Sequence, residues 1–136
     1  MTRAVLGTNI LISAILFKGI PGRLLELAIA GSFRAVTSPT LLDELDEKLR
    51  GKFQLPTADA DQIRSDLELL CDVVSTIDSL AVIQDDPGGD RVLECAVAGR
   101  ADTIVSGDRH LLKLGSYDGT QILTVRQFMD QVSPVT

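Results

Sequence analysis

Apolar residues in this chain fall into brief runs separated by longer stretches with helical spacing. Ala4-Val5-Leu6, Phe33 to Thr37, Thr103 to Ser106 and Ile122 to Val125 have the length and composition of buried strands. Helical stripes lie between them. Ile10 to Leu16 predicts a first helix that breaks near Gly19. Leu24, Leu25, Leu27 and Ala28 predict a second, with Pro21 in its first turn and Gly31 at C′. Leu41, Leu42, Leu45 and Leu49 predict a third, entered through Ser38-Pro39 and ended by Gly51. Thr57 is expected to cap a fourth, which carries Asp59 and Asp61 in its first turn and buries Ile63, Leu67, Leu70 and Cys71. Val73 to Ile77 and Leu80 to Ile83 are weaker strand candidates.

The segment Asp85-Asp86-Pro87-Gly88-Gly89 reads as a loop, because proline and paired glycines break regular structure. Asp90 is expected to open a helix through Ala98, closed by Gly99, with a short helical turn after Gly107-Asp108 and a last helix through Val132. This alternation predicts an α/β fold with a central, mainly parallel sheet flanked by helices.

The 136 residues fit a single domain, 1–136, and 45% hydrophobic content places it among globular chains. Aromatics are 4% of residues, with no Trp, which argues against a base-stacking platform. Thirteen basic against 19 acidic side chains give a net charge of −6, so any nucleic-acid contact is local or bridged by a cation. Cys71 and Cys95 show no metal spacing and read as reduced core residues of a cytoplasmic protein. Gly7-Thr8-Asn9 interrupts the early apolar stretch, which argues against an export signal, and no run reaches a membrane span of ~20 residues.

Several acids fall near strand ends or on the helices that follow. Asp108 comes just after the strand Thr103 to Ser106, Asp90 heads a helix, and Glu44 lies between Leu41 and Leu45. In a parallel sheet these elements can converge at one edge, where ligands collect. Gathered carboxylates repel one another, and a divalent cation such as Mg²⁺ or Mn²⁺ resolves the conflict. Each acid also has a plain structural explanation. Asp90 suits an N-cap, Glu44 a solvated helix face beside Asp43, Asp46 and Glu47, and Asp108 a turn.

The stretches VLGTNILISAIL, SPTLLDEL, DDPGGDRVLECAVAGRADTIVSGDRHLL and ILTVRQFM together resemble the PIN-domain family over nearly the whole chain, especially its prokaryotic toxin-like (VapC-like) members. The resemblance implies a three-layer PIN-like fold and a Mg²⁺- or Mn²⁺-dependent endoribonuclease, the probable-toxin half of a toxin–antitoxin pair. Metal-activated water would hydrolyse RNA phosphodiester bonds. The family's acids match Glu44, Asp90 and Asp108, with Asp86 as a further metal ligand, and Asn9 and Ser106 orient ligands or water. Gly7 stands where the family's opening Asp-Thr-Asn motif has its aspartate, so one carboxylate of the site is vacant and activity is expected to be impaired.

Arg109, His110 and Lys113, just beyond Asp108, are candidates for RNA phosphate contacts, although a solvated helix face explains them equally well. The implied partners are RNA, an antitoxin protein and a second copy of the chain, without a membrane. An alternative keeps the fold and drops the catalysis: a PIN-fold module that binds RNA or a protein. A phosphoacceptor of the receiver type is disfavoured, because Asp85-Asp86 falls in the second half of the chain.

Overall fold

The computed structural model describes residues 1–76 and 87–132. Strand β1 (Arg3–Leu6) leads into α1 (Thr8–Ile12), which continues as a π-helical turn over Ser13–Phe17. Lys18, at φ +60°, breaks the path, and α2 (Gly19–Ile29) follows. Gly31 ends that helix at φ +83°. Its N–H donates to the Ala28 carbonyl at 3.1 Å and the Ser32 N–H to Leu27 at 2.9 Å. That bond pair is a Schellman motif, for which glycine at C′ is suited.

Strand β2 (Arg34–Thr37) precedes α3 (Pro39–Arg50), where Ser38 Oγ accepts the Leu41 N–H at 3.2 Å. Helix α4 (Thr57–Leu70) is capped by Pro56, and Thr57 is its first helical residue with no side-chain cap bond. Asp59 lies in its first turn, as expected, while Asp61 falls beyond it. Strand β3 is only Asp72–Val73, and the strand expected at residues 80–83 lies outside the described residues.

Helix α5 (Pro87–Ala98) corrects the expected loop, because Pro87, Gly88 and Gly89 form its first turn. Proline lacks an N–H, but a first turn leaves its N–H groups unpaired in any case. Asp90 therefore stands in the first turn and is not the cap. Strand β4 (Thr103–Val105) leads to α6 (Arg109–Leu114), and β5 (Ser116–Tyr117) and β6 (Thr120–Leu123) form a hairpin. Its turn, Asp118-Gly119, has φ of +50° and +83°, the signature of an Asp-Gly hairpin turn. Helix α7 (Val125–Val132) claims Val125, which the apolar pattern had assigned to the strand. A reciprocal capping box decides this. The Gln127 side chain accepts the Thr124 N–H at 2.9 Å, and Thr124 Oγ1 accepts the Gln127 N–H at 3.2 Å.

The sheet order is β3-β2-β1-β4-β6-β5, parallel except for the β5–β6 pair. Strand β1 alternates between two cores. Ala4 and Leu6 face one that also holds Leu24, Leu45, Phe33 and Phe128; Val5 faces another with Leu93, Ile104 and Leu111. The rings of Phe33 and Phe128 meet edge to face at 5.0 Å. Helices thus cover both faces of the sheet, giving three layers. Both cysteines are buried, and burial pushes the Cys71 thiol up to about 11 and that of Cys95 up to about 12. They stay protonated at neutral pH and serve as small core residues. No helix among the described residues is long and apolar enough to cross a membrane.

Candidate functional site

The chain crosses from β1 to α1 at Gly7, beside the crossing from β4 to α6 at Ser106 and Gly107. The Gly7 N–H donates to the Val105 carbonyl at 2.9 Å, and the Ser106 N–H to the Leu123 carbonyl at 3.0 Å. These bonds carry the sheet ladder to its carboxyl edge, where a cleft of about 130 Å³ opens. Asn9, Glu44, Lys48, Ser106 and Asp108 line it, with the backbone of Gly7, Gly88 and Gly89. Residues nearly a hundred positions apart meet there because β1 and β4 are neighbours.

Each polar side chain has a local reason for its place. Asp108 caps α6: its Oδ1 accepts the His110 N–H at 2.7 Å and the Leu111 N–H at 3.4 Å. Ser106 Oγ accepts the Asp108 N–H at 3.0 Å and so fixes the turn between strand and helix. Glu44 is half-buried on α3, one helical turn before Lys48, and their side chains pair at 3.2 Å. The same ammonium donates to Asn9 Oδ1 at 3.3 Å.

Gly7 is not demanded by its backbone, since φ −59° and ψ 152° are open to any residue. A Cβ there would lie 3.3 Å from the Val105 carbonyl oxygen and 3.6 Å from Ser106 Oγ. An aspartate would therefore fit with a shift of a few tenths of an ångström, and its side chain would start beside the Ser106 hydroxyl. Gly7 also caps α1 without any side-chain bond.

The structure thus brings Asn9, Glu44, Ser106 and Asp108 to one cleft beside Gly7. Asp90 is not part of that lining: it is buried on α5, while Gly88, Gly89 and Val92 present the helix to the cleft. Asp86 lies outside the described residues. Arg109, His110 and Lys113 are exposed on α6 and outside the lining, although that helix starts at the cleft. The basic side chain that does line it, Lys48, escaped the sequence reading. Its signal was the four-residue spacing from Glu44.

Hard divalent cations take oxygen ligands and retain several waters. Two carboxylates, an amide and a hydroxyl around the cleft are a donor set of that chemistry. Among the described residues no three Asp, Glu, His or Cys side chains gather as a metal-holding group. The donors fit Mg²⁺ or Mn²⁺ in kind, and among the described residues two carboxylates line the cleft.

Two comparisons bear on this geometry. The chain is similar in structure to one from the crystal structure of VapBC2 from Rickettsia felis bound to a DNA fragment from their promoter, with a TM-score of 0.58 and 18% sequence identity. The match covers 89% of this chain and 97% of that one, and at this identity it speaks for the fold alone. No curated protein matches. Residues 3–110 match the PIN domain, a span holding both strand-to-helix crossings and the cleft's Asn9, Glu44, Lys48, Ser106 and Asp108. The chain belongs to the PIN domain family.

Proposed function

We propose that the chain is a PIN-type metal-dependent endoribonuclease, the toxin component of a toxin–antitoxin pair, with activity impaired by Gly7. The observation that carries this reading is the convergence of Asn9, Glu44, Ser106 and Asp108 on one cleft at the carboxyl edge of the sheet.

Glu44 and Asp108 would hold Mg²⁺ or Mn²⁺, with Asn9 and Ser106 beside them and Asp90 in the first turn of α5. When bound, the cation supplies charge neutralisation and water activation for phosphodiester hydrolysis. Ser106 holds the Asp108 backbone in place, so the carboxylate stays aimed while it caps the helix. Gly88 and Gly89 let a substrate backbone approach α5 without meeting a side chain. Arg109, His110 and Lys113 stand on the exposed side of α6, where RNA phosphates leaving the cleft would pass.

The test compares this chain with Gly7→Asp on structured and unstructured RNAs with Mg²⁺ or Mn²⁺, and Glu44→Gln exposes contaminating ribonuclease. Gly7→Asp is expected to cleave about 10²-fold faster, the scale of a repaired positioning defect. Equal cleavage by both chains would remove the impairment. Saturable RNA binding with no cleavage by either would favour the non-catalytic module.

The partner reading has its own support. Ile15, Leu25, Ile29, Ile63, Leu69 and Leu70 line an apolar groove of about 390 Å³ between α2 and α4. Ile29 is 67% and Leu69 84% exposed at its edge. The VapBC2 likeness suggests an antitoxin protein as its occupant. Leu69→Glu is expected to leave the melting temperature unchanged and to weaken antitoxin binding at least ~10-fold, read by calorimetry.

A further inference from the structure

The ammonium of Lys48 joins two of the cleft's oxygens. It lies 3.2 Å from Glu44 Oε1 and 3.3 Å from Asn9 Oδ1, and among the described residues it belongs to the one basic residue in the lining. Among the described residues Glu44 and Asp108 are the acids of that lining, so a positive charge already offsets one of their two negative ones. With glycine at position 7, the crossing from β1 to α1 adds no carboxylate of its own.

We propose that Lys48 is the cleft's resident cation, holding the Glu44 and Asn9 oxygens against a divalent ion and so setting the threshold for metal binding. The proposal rests on the metal-dependent reading above. An ammonium donates hydrogen bonds and has no coordination positions to offer, so it neutralises charge without supplying an activated water. A divalent ion entering the cleft must draw Glu44 and Asn9 away from Lys48 and then tolerate a positive neighbour. Both effects lower its affinity. The Lys48 side chain is 37% exposed, so it can swing to solvent when displaced.

The experiment is Mn²⁺ binding by the full chain, followed by the electron paramagnetic resonance signal of free Mn²⁺ at fixed ionic strength. Lys48→Met is expected to bind about ten-fold more tightly than the parent, allowing for solvent screening of a half-exposed charge. Lys48→Arg should stay near the parent, and adding Glu44→Gln to Lys48→Met should cancel the gain. If Gly7→Asp tightens Mn²⁺ binding while Lys48→Met does not, the proposal falls and the metal reading stands. A gain in Lys48→Arg equal to that in Lys48→Met would also overturn it, since the charge would then be irrelevant. If no variant binds Mn²⁺, including Gly7→Asp, the metal-dependent reading fails and takes this proposal with it.

Discussion

At the amino ends of the strands Asp72 accepts bonds from Arg3 at 2.6 Å and from Arg34 at 2.9 and 2.5 Å. At the carboxyl ends Glu44 meets a single ammonium at 3.2 Å. The first cluster joins three strands distant in sequence, whereas the second pairs two residues of one helix, and they differ in closure. The Arg3 guanidinium also donates to the Gly99 carbonyl at 2.9 Å, and its backbone N–H to Asp102 at 2.8 Å. The amino edge is bonded onto itself, while the carboxyl edge keeps carboxylate, amide and hydroxyl oxygens around a cleft. Charged residues alone do not mark a site; a shared opening does.

The two edges also differ in what their glycines do. A Cβ on Gly99 would lie 2.6 Å from Val36 Cγ1, a fully packed core atom, whereas one on Gly7 meets nothing nearer than 3.3 Å. Gly99→Ala is therefore expected to cost about 2 kcal/mol and lower the melting temperature by roughly 8 °C. Gly7→Ala should stay within about 2 °C of the parent. A drop at Gly7 matching that at Gly99 would show that both edges are equally packed, and the contrast would be lost.

A smaller effect is expected at Asp72. The hydrogen bonds from Arg34 and then Arg3 hold its carboxyl down at about 2. Its folded value lies below the ordinary ~3.9, so its contribution to stability is present above about pH 4 and lost as the pH falls through about 2. Asp72→Asn should lower the melting temperature by about 4 °C at pH 7, with the gap closing towards pH 2. Glu44→Gln, the smallest change, should shift it by under about 2 °C, since its exposed pair contributes little. Thermal melts of both variants from pH 2 to pH 7 measure the pair, and a Glu44 loss as large as that at Asp72 would make the cleft carboxylate structural.

Much of this was legible in the sequence because local signals agreed with the packing. Ser38-Pro39 starts α3, Gly31 ends α2, and the period-two burial of β1 follows from three apolar residues in a row. The failures came where two local rules competed. Proline and glycine at 87–89 signal loop by composition but are compatible with a first helical turn. Val125 continues an apolar run, yet the Thr124–Gln127 box outbids it. The short β5 went unread although Asp118-Gly119 announces a hairpin. At the site, Glu44, Asp108, Asn9 and Ser106 were reachable from the resemblance, whereas Asp90's place inside the first turn depends on where α5 begins. Lys48 was hidden because a lysine four residues after a glutamate is common on solvated helix faces.

The hairpin has a further consequence. Among the described residues both borders of the sheet are two-residue strands, Asp72–Val73 on one side and Ser116–Tyr117 on the other. So short a border offers almost no free ladder for another chain to extend. Growth of the sheet from these two described borders is thereby discouraged, which favours association through helical surfaces, where side-chain shape rather than backbone pairing decides which protein fits.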